Sequence, residues 1–166
     1  ILFRFQKPQS SEIIHKFNLS NDYVVVHPGM MGSALNWPQK KYIEYIQKLI
    51  SENKQVVITG TDADTPYLLQ IKAAFENNPS VVWLQSKLNF EELLQVLYYS
   101  EKVIAPSTGV AHLAASLGKV VWCIFSPIRV HHPIRWSPRG EHVTCFLPQG
   151  FPNPIDNDKK NPMDFK

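Results

Sequence analysis

The sequence predicts a doubly wound α/β fold built on a parallel sheet. Short runs rich in Val and Ile alternate along the chain with longer segments whose apolar residues recur at the helical period. Turn residues separate the two kinds of segment. The chain has 166 residues, which is enough for one core and too few to suggest two independent domains. We therefore expect one α/β unit.

Five apolar runs are predicted to be strands, because Val and Ile dominate them and turn residues bound them. These runs are Tyr23–His27, Gln55–Thr59, Val81–Leu84, Lys102–Ala105 and Lys119–Phe125. The run His142–Phe146 is a candidate further strand at one edge of the sheet. In doubly wound sheets, ligands bind beyond the carboxyl ends of the strands, so we expect the functional residues in the loops that follow these runs.

The first two predicted helices have proline near their starts. Pro38 opens the first, because a proline at the first helical position loses no hydrogen bond. The buried face of this helix is expected to contain Tyr42, Ile46, Leu49 and Ile50. The second helix begins with Thr65 as its cap and Pro66 at its first position, and runs to about Phe75.

The other two predicted helices are marked by their ends. Asn89 and Glu92 form the pattern of a capping box at the start of the third helix. The buried stripe of this helix is predicted to contain Phe90, Leu93, Leu94 and Leu97. Ser107 or Thr108 caps the fourth helix, and Gly118 suits the left-handed conformation that ends it.

Composition argues against several classes of protein. The formal net charge is +3, and both signs of charge are interspersed until about residue 129, so no basic face indicates a nucleic-acid partner. No apolar run approaches the roughly 20 residues needed to span a bilayer. Cys123 and Cys145 each lie in an apolar run and are predicted to be buried free thiols. His131 and His132 lack the ligand spacing of a zinc site, and we expect neither a metal nor a cofactor.

Glycines and carboxylates mark the loops after the first and second predicted strands. The first loop contains Gly29 and Gly32 and ends at a helix start, where backbone amides could cradle a phosphate. It lacks the Gly-Lys-Ser/Thr of a P-loop and the spaced glycines of a dinucleotide fold. In the second loop, Asp62 and Asp64 could each accept hydrogen bonds from ribose hydroxyls. Helix capping by Asp64 or Thr65 is an alternative interpretation.

The loop after the fourth predicted strand has the most specific local pattern. Hydroxyl groups and backbone amides gather there at a helix N-terminus, which favours a diphosphate. A serine hydrolase is a poor interpretation, because Gly-x-Ser-x-Gly is absent and no orienting carboxylate is evident. The loop after the fifth strand carries Arg129, Arg135 and Arg139, which could bind phosphate or form a solvated surface. The candidate binding residues of all these loops are His27, Gly29, Ser33, Asp62, Ser107, Thr108, Gly109, Val110, His112 and Arg129.

Four motifs follow one another along the chain. They are His27-Pro28-Gly29, Asn36-Trp37-Pro38, Gly60-Thr61-Asp62 and the segment Ser107–Gly118. In this order they resemble the family-nine glycosyltransferases, which are the ADP-heptose:lipopolysaccharide heptosyltransferases and their relatives. The resemblance runs from about Tyr23 to Arg139. An ordered set of motifs is far more specific than any single one.

The resemblance implies a fold and a domain organisation. Members of this family are two-domain GT-B enzymes whose second, Rossmann-like half binds the nucleotide-sugar, and this chain resembles only that half. It implies a nucleotide-sugar-binding domain over residues 23–147, with a linker or leading helix expected over 1–22. Residues 148–166 are rich in Pro, Asn, Asp and Lys without apolar periodicity and are expected to form a loose tail. The first half of such enzymes binds the acceptor and supplies the catalytic carboxylate. We therefore assign no catalytic residue to this chain and expect that it transfers no sugar by itself.

The resemblance also implies partners. The donor is a nucleotide-sugar, with an ADP-sugar favoured, and its diphosphate is expected near Ser107–Val110 with His112 close by. The first-loop residues are expected beside the sugar or phosphate, and Asp62 and Asp64 are candidates for the ribose side. The acceptor is a glycolipid, lipopolysaccharide or a related surface glycan, bound through an N-terminal domain. A cytoplasmic location and peripheral membrane association of the full protein follow from the same resemblance.

Two positions depart from the family pattern. The family usually has Asp where Ser107 stands, and commonly has Lys just before the Trp-Pro pair, where this sequence has Leu35-Asn36. Both departures remove a charge from the expected site. They support an alternative interpretation, in which the chain is a noncatalytic nucleotide- or glycan-binding module derived from the same fold.

Overall fold

A computed structural model describes residues 8, 11–32, 35–149 and 153–156 of the chain. In these ranges six strands form one sheet in which every neighbouring pair is parallel, in the order β3-β2-β1-β4-β5-β6. The strands are β1 (Val24–Val26), β2 (Val56–Ile58), β3 (Val81–Trp83), β4 (Lys102–Pro106), β5 (Val120–Ile124) and β6 (Val143–Phe146). All the predicted strands, including the candidate edge strand, are present with slightly different ends.

Helices connect most of these strands. They are α1 (Glu12–Lys16), α2 (Gln39–Ser51), α3 (Thr65–Phe75), α4 (Phe90–Tyr99), α5 (Gly109–Ser116) and α6 (Pro133–Trp136). Two 3₁₀ turns, Asp62–Asp64 and Arg129–His131, precede α3 and α6. Within the described ranges, no helix is long and apolar enough to cross a lipid bilayer.

The helices cover both faces of the sheet, and the alternation of side chains along β1 shows how. Val24 and Val26 pack into the cluster formed with α2 and α3, whereas Val25 packs into the cluster formed with α1, α4 and α5. Side chains alternate across a strand, so a strand that is buried on both faces needs apolar residues at every position. This explains why β1 consists of valine throughout. The winding direction reverses between β1 and β4, which confirms the doubly wound α/β prediction.

Local sequence signals account for most helix ends. Gly118 has a φ of +74° just beyond α5, as its left-handed role predicts. Pro38 was predicted as the first helical residue, but it has an extended backbone and is the residue just before α2. Thr65 is the first residue of α3 and not its cap, since the preceding 3₁₀ turn already begins the coil of the helix. Phe90 was expected in the buried stripe of α4 and is 58% exposed, because the first helical residue lies at the sheet edge.

The start of α4 provides a first testable prediction. Asn89 Oδ1 accepts a hydrogen bond from Glu92 N at 2.8 Å, and Glu92 Oε2 accepts one from Asn89 N at 3.0 Å. Asn89→Ala removes the side-chain acceptor of the Glu92 amide, so we expect the free energy of unfolding to fall by about 1 kcal/mol. Urea denaturation measures this change, and Asn77→Ala at an exposed position serves as the control. Equal stability of the two variants would contradict the capping assignment.

Candidate functional site

The carboxyl ends of β1, β2 and β4 border a cavity of about 610 Å³, here called the main cavity. It lies at the point where the winding of the sheet reverses, which is where ligands bind in this class of fold. Its polar border comes from the loops after these strands and from the first turn of α5. Its apolar wall comes from Leu84, Leu88, Phe90, Leu93 and Leu113.

His27 lies at the border of the main cavity, directly after β1. Its side chain is almost completely buried, and its Nδ1 atom is 3.0 Å from Thr59 Oγ1, with which it shares a hydrogen bond. Burial lowers the pKa of His27 to about 4, an effect that the nearby Asp64 carboxylate partly opposes. The imidazole is therefore neutral at pH 7 and meets a ligand as a hydrogen-bonding group without charge.

Asp64 links the loops after β1 and β2. Its Oδ1 accepts a hydrogen bond from Met31 N at 3.1 Å, and its Oδ2 accepts bonds from Thr61 N and Thr61 Oγ1, both at 2.9 Å. Only 2% of the residue surface is exposed. The sequence offered ribose binding or helix capping for Asp64, and the structure shows the capping box together with an additional bond to the first loop.

The loop after β1 is also fixed from its far end. Asn36 Nδ2 donates a hydrogen bond to the Pro28 carbonyl at 2.6 Å, and Asn36 Oδ1 accepts bonds from Tyr42 OH at 2.7 Å and Trp37 N at 2.8 Å. The neutral Asn36 therefore braces the loop next to the position where the family commonly has Lys. Ser33, a predicted site residue in this loop, lies outside the described residues.

The first turn of α5 forms another side of the main cavity. Thr108 is the extended residue before the helix, and its Oγ1 donates a hydrogen bond to the Pro106 carbonyl at 3.3 Å. Gly109 and Val110 follow, and backbone N–H groups in the first turn of a helix have no acceptor within it. A Cβ atom at Gly109 would meet no heavy atom within 4 Å, so the backbone there is open to an approaching ligand.

A second cavity of about 360 Å³ lies on the other side of the same helix start. It shares Thr108 and Gly109 with the main cavity, and its remaining border contains Ser107, His112, Val130, His131 and Trp136. Burial lowers the pKa of His112, and its hydrogen bond to the backbone of Trp136 partly opposes that effect. The two cavities therefore meet at the N-terminus of α5.

Two predicted site residues lie elsewhere. Asp62 is exposed, and its Oδ1 accepts a hydrogen bond from Ser86 Oγ at 2.5 Å. It borders a separate groove of about 550 Å³ beside Trp83. Arg129 is exposed, and its Nε atom is 3.0 Å from Asp156 Oδ1. Among the described residues that border the main and second cavities, none is Lys or Arg.

The sequence did not indicate several residues that border the cavities. The apolar wall includes Leu88, which precedes the capping box of α4, and the second cavity includes Val130 and Trp136. Leu88 could have been predicted, because it directly precedes the N-cap residue of a helix that starts at the ligand edge of the sheet. Val130 and Trp136 lie in the loop after β5, which the sequence predicted at the ligand edge, but which residues of this loop reach the cavity depends on how the segment folds back.

The sheet and its carboxyl edge define a class of protein. A doubly wound parallel sheet, with a cavity at its switch point and a helix start beside it, is typical of Rossmann-like folds, and the fold of this chain matches one half of a GT-B heptosyltransferase structure. The chain belongs to glycosyltransferase family 9 (heptosyltransferase), whose family model matches residues 2–165. The family resemblance stated from the motifs is thereby confirmed.

Relatives extend this assignment. Lipopolysaccharide heptosyltransferase 2 of Salmonella typhimurium (strain LT2) is 26% identical over 125 residues, which cover 72% of this chain and 36% of the relative. The structure of Escherichia coli ADP-heptose lps heptosyltransferase II has a TM-score of 0.78 at 21% identity, and covers 90% of this chain and 46% of that one. Escherichia coli heptosyltransferase WaaC with ADP has a TM-score of 0.67 at 21% identity. The alignment covers 88% of this chain and 46% of WaaC, so the chain spans less than half of these relatives.

Proposed function

We propose that this chain is the donor-binding half of a heptosyltransferase-like enzyme, and that the donor is a nucleotide-sugar, with an ADP-sugar favoured. The observation that carries the proposal is the meeting of two cavities at the open N-terminus of α5. A nucleotide-sugar has the same arrangement, because its diphosphate joins two larger groups. The donor-binding unit extends over residues 23–147, with a leading segment before it and a tail after it.

The geometry suggests how the donor lies. We assign the diphosphate to Thr108, Gly109 and Val110, where the helix dipole and the amides of the first turn favour negative charge. The nucleoside occupies the main cavity, whose leucines and Phe90 offer an apolar surface to a base. This arrangement puts the loop after β1 beside the nucleoside, whereas the resemblance implied a position beside the sugar or phosphate. The sugar occupies the second cavity, where Ser107 and His112 supply hydrogen-bonding groups.

The remaining candidates complete the donor site. His27 and Gly29 border the main cavity on its β1 side, and Ser33 belongs to the same loop. Asp62 borders the separate groove, and we assign it to the ribose side through a movement in which its exposed carboxylate leaves Ser86 when a donor binds. Arg129 follows β5 next to the second cavity, where its guanidinium is available to a phosphate when it leaves Asp156.

Glycosyl transfer from such a donor makes two chemical demands. The departing nucleoside diphosphate gains negative charge, which the amides of α5 and the guanidinium of Arg129 or Arg135 are suited to stabilise. The acceptor hydroxyl must also lose a proton to a base. We assign that base to a separate acceptor-binding domain, so the chain alone is expected to release no sugar from a bound donor. The acceptor is a lipopolysaccharide or a related surface glycan, and the full protein meets it at the cytoplasmic face of a membrane.

A noncatalytic binding module is the second candidate function. The observation in its favour is that no described residue bordering either cavity is Lys or Arg, while Ser107 stands where the family usually has Asp. Ser107→Asp separates the two candidates. If serine is part of a working site, nucleotide affinity falls or stays level, whereas a decayed site regains affinity.

Calorimetric titration of the chain with ADP, UDP and GDP tests the proposed function. We expect ADP to bind with at least about tenfold preference, and the variant Ser107→Ala/Thr108→Ala to lose that binding, because both hydroxyls lie at the helix start. Lys119→Ala, beyond the C-terminal end of α5 and outside both cavities, is the control and should bind as the unmodified chain does. Binding of none of the three nucleotides would contradict the donor-binding assignment.

A further inference from the structure

We propose that Asp64 is a positioning residue that holds the loop after β1 (residues 27–32) and the loop after β2 (residues 59–64) as one unit. The inference deepens the proposed function and rests on it, because both loops border the cavity assigned to the nucleoside. In this role Asp64 shapes the donor site through other residues and does not bind the donor.

The hydrogen bonds of Asp64 divide between the two loops. One carboxylate oxygen accepts from Met31 N in the first loop, and the other accepts two bonds from Thr61 in the second. A capping box alone would require only the bonds within the second loop. The bond to Met31 is therefore the additional feature, and it joins two segments that are far apart in sequence.

The space around Gly29 gives a second, independent observation. A Cβ atom at Gly29 would overlap the Asp64 carboxylate, so only a glycine lets the first loop lie this close to it. The backbone angle at position 29 does not require a glycine, because the positive φ angles of this loop are at Met31 and Gly32. Close packing against Asp64 is what the missing side chain permits.

The backbone of Met31 shows what the bond accomplishes. Met31 has a φ of +48° and Gly32 a φ of +73°, so the loop turns through the left-handed region at a residue that rarely adopts it. The hydrogen bond from Met31 N to a buried carboxylate offsets that unfavourable conformation. Without the acceptor, Met31 is expected to leave the left-handed region, and the loop loses the shape it gives to the cavity.

The burial of Asp64 argues against a role as a donor ligand. Although it borders the main cavity, 2% of its surface is exposed, and both of its oxygens already accept hydrogen bonds. The neighbouring Asp62 differs in this respect, because its side chain is exposed and accepts a hydrogen bond from Ser86. The two carboxylates, which look equivalent in the sequence, thus have different surroundings.

Hydrogen exchange of the free chain tests the proposal without a nucleotide. Asp64→Asn keeps the shape of the side chain, but an amide presents its oxygen to only one loop. In Asp64→Ala we expect amide exchange at both Met31 and Thr61 to become about tenfold faster or more. In Asp64→Asn we expect the same acceleration at one or both of these amides. Val25 and Val57, in the central strands, should keep their protection in both variants. Glu76→Gln, an equal change of charge at the other end of α3, should leave all four amides unchanged. Acceleration confined to Thr61 in Asp64→Ala would overturn the proposal, because Asp64 would then be a local cap only.

A double-mutant cycle tests the contact itself. Gly29→Ala displaces the carboxylate and is expected to accelerate exchange at Met31 by itself, whereas in an Asp64→Ala background it should add little. Additive effects would overturn the proposal.

Titration with ADP then measures the consequence for the site, where Asp64→Asn should weaken binding about tenfold or more without a matching loss of global stability. If the unmodified chain binds no nucleotide, the proposed function fails, and the exchange data still decide the role of Asp64.

Discussion

Gly109→Ala is expected to weaken the binding of a nucleoside diphosphate by about tenfold or more, which corresponds to about 1.4 kcal/mol or more. Gly109 is the first residue of α5 and borders both cavities, and a Cβ atom there would point into open space. It would occupy the position from which a diphosphate approaches the helix amides. Because alanine strains nothing at this position and favours helix, the free energy of unfolding should not fall. Calorimetric titration and urea denaturation of the same preparations measure the two quantities.

The other end of the same helix supplies the matched control. Gly118 has a φ of +74° and its added Cβ would also meet open space, so Gly118→Ala costs backbone strain without touching either cavity. We expect this variant to lose about 1 kcal/mol of stability and to keep its nucleotide affinity. The two alanine variants therefore separate binding from folding. Unchanged affinity in Gly109→Ala would show that the diphosphate does not lie at this helix start.

Acid should destabilise the chain through His27. Its pKa is about 4 in the folded chain and about 6.5 in an unfolded chain, so between these values the unfolded state binds a proton that the folded state does not. The contribution is fully present above pH 6.5, and falls by about 3 kcal/mol as the pH decreases to 4. Urea denaturation at several pH values between 7 and 4 measures this loss. His27→Asn, which keeps a polar group near Thr59, should show a smaller loss.

Other histidines set the control for this experiment. Burial also lowers the pKa of His112 and His132, so some acid destabilisation remains in His27→Asn. The exposed His15 on α1 is the matched comparison, and His15→Asn should leave the pH dependence as it is in the unmodified chain. If His27→Asn follows the same curve as His15→Asn, the imidazole of His27 is not held neutral in the folded chain.

The sequence predicted the fold well because its signals are local. The first five strands are short runs rich in valine and isoleucine, and all six strands lie within a residue or two of their predicted positions. The start of α4 follows from the spacing of Asn89 and Glu92, and the end of α5 follows from the backbone freedom of Gly118. These features need no knowledge of which segments become neighbours.

The site was predicted less completely because it depends on neighbours in space. The sequence predicted His27, Thr108 and Gly109 at one edge of the sheet because the strand ends of a parallel sheet share that edge, and all three border the main cavity. The link between Asp64 and Met31 was not, because a carboxylate in one loop and an amide in another carry no common sequence signal. The prediction that Phe90 is buried was wrong for the same reason. The helical period shows which face of α4 is apolar, but it does not show that the first residue on that face lies beyond the sheet and is exposed.

The position of β1 at the centre of the sheet has a consequence for how the chain folds during synthesis. Val24 in β1 pairs with Val56 in β2 on one side and with Lys102 in β4 on the other. Because β4 is synthesised much later than β1, one edge of β1 stays unpaired until then. Parallel pairings between distant segments form slowly and leave apolar edges uncovered in the meantime. A nascent chain that has not yet exposed β4 outside the ribosome can therefore assemble only β1, β2 and β3. Its valine-rich edge then depends on rapid elongation, or on a chaperone, to avoid aggregation.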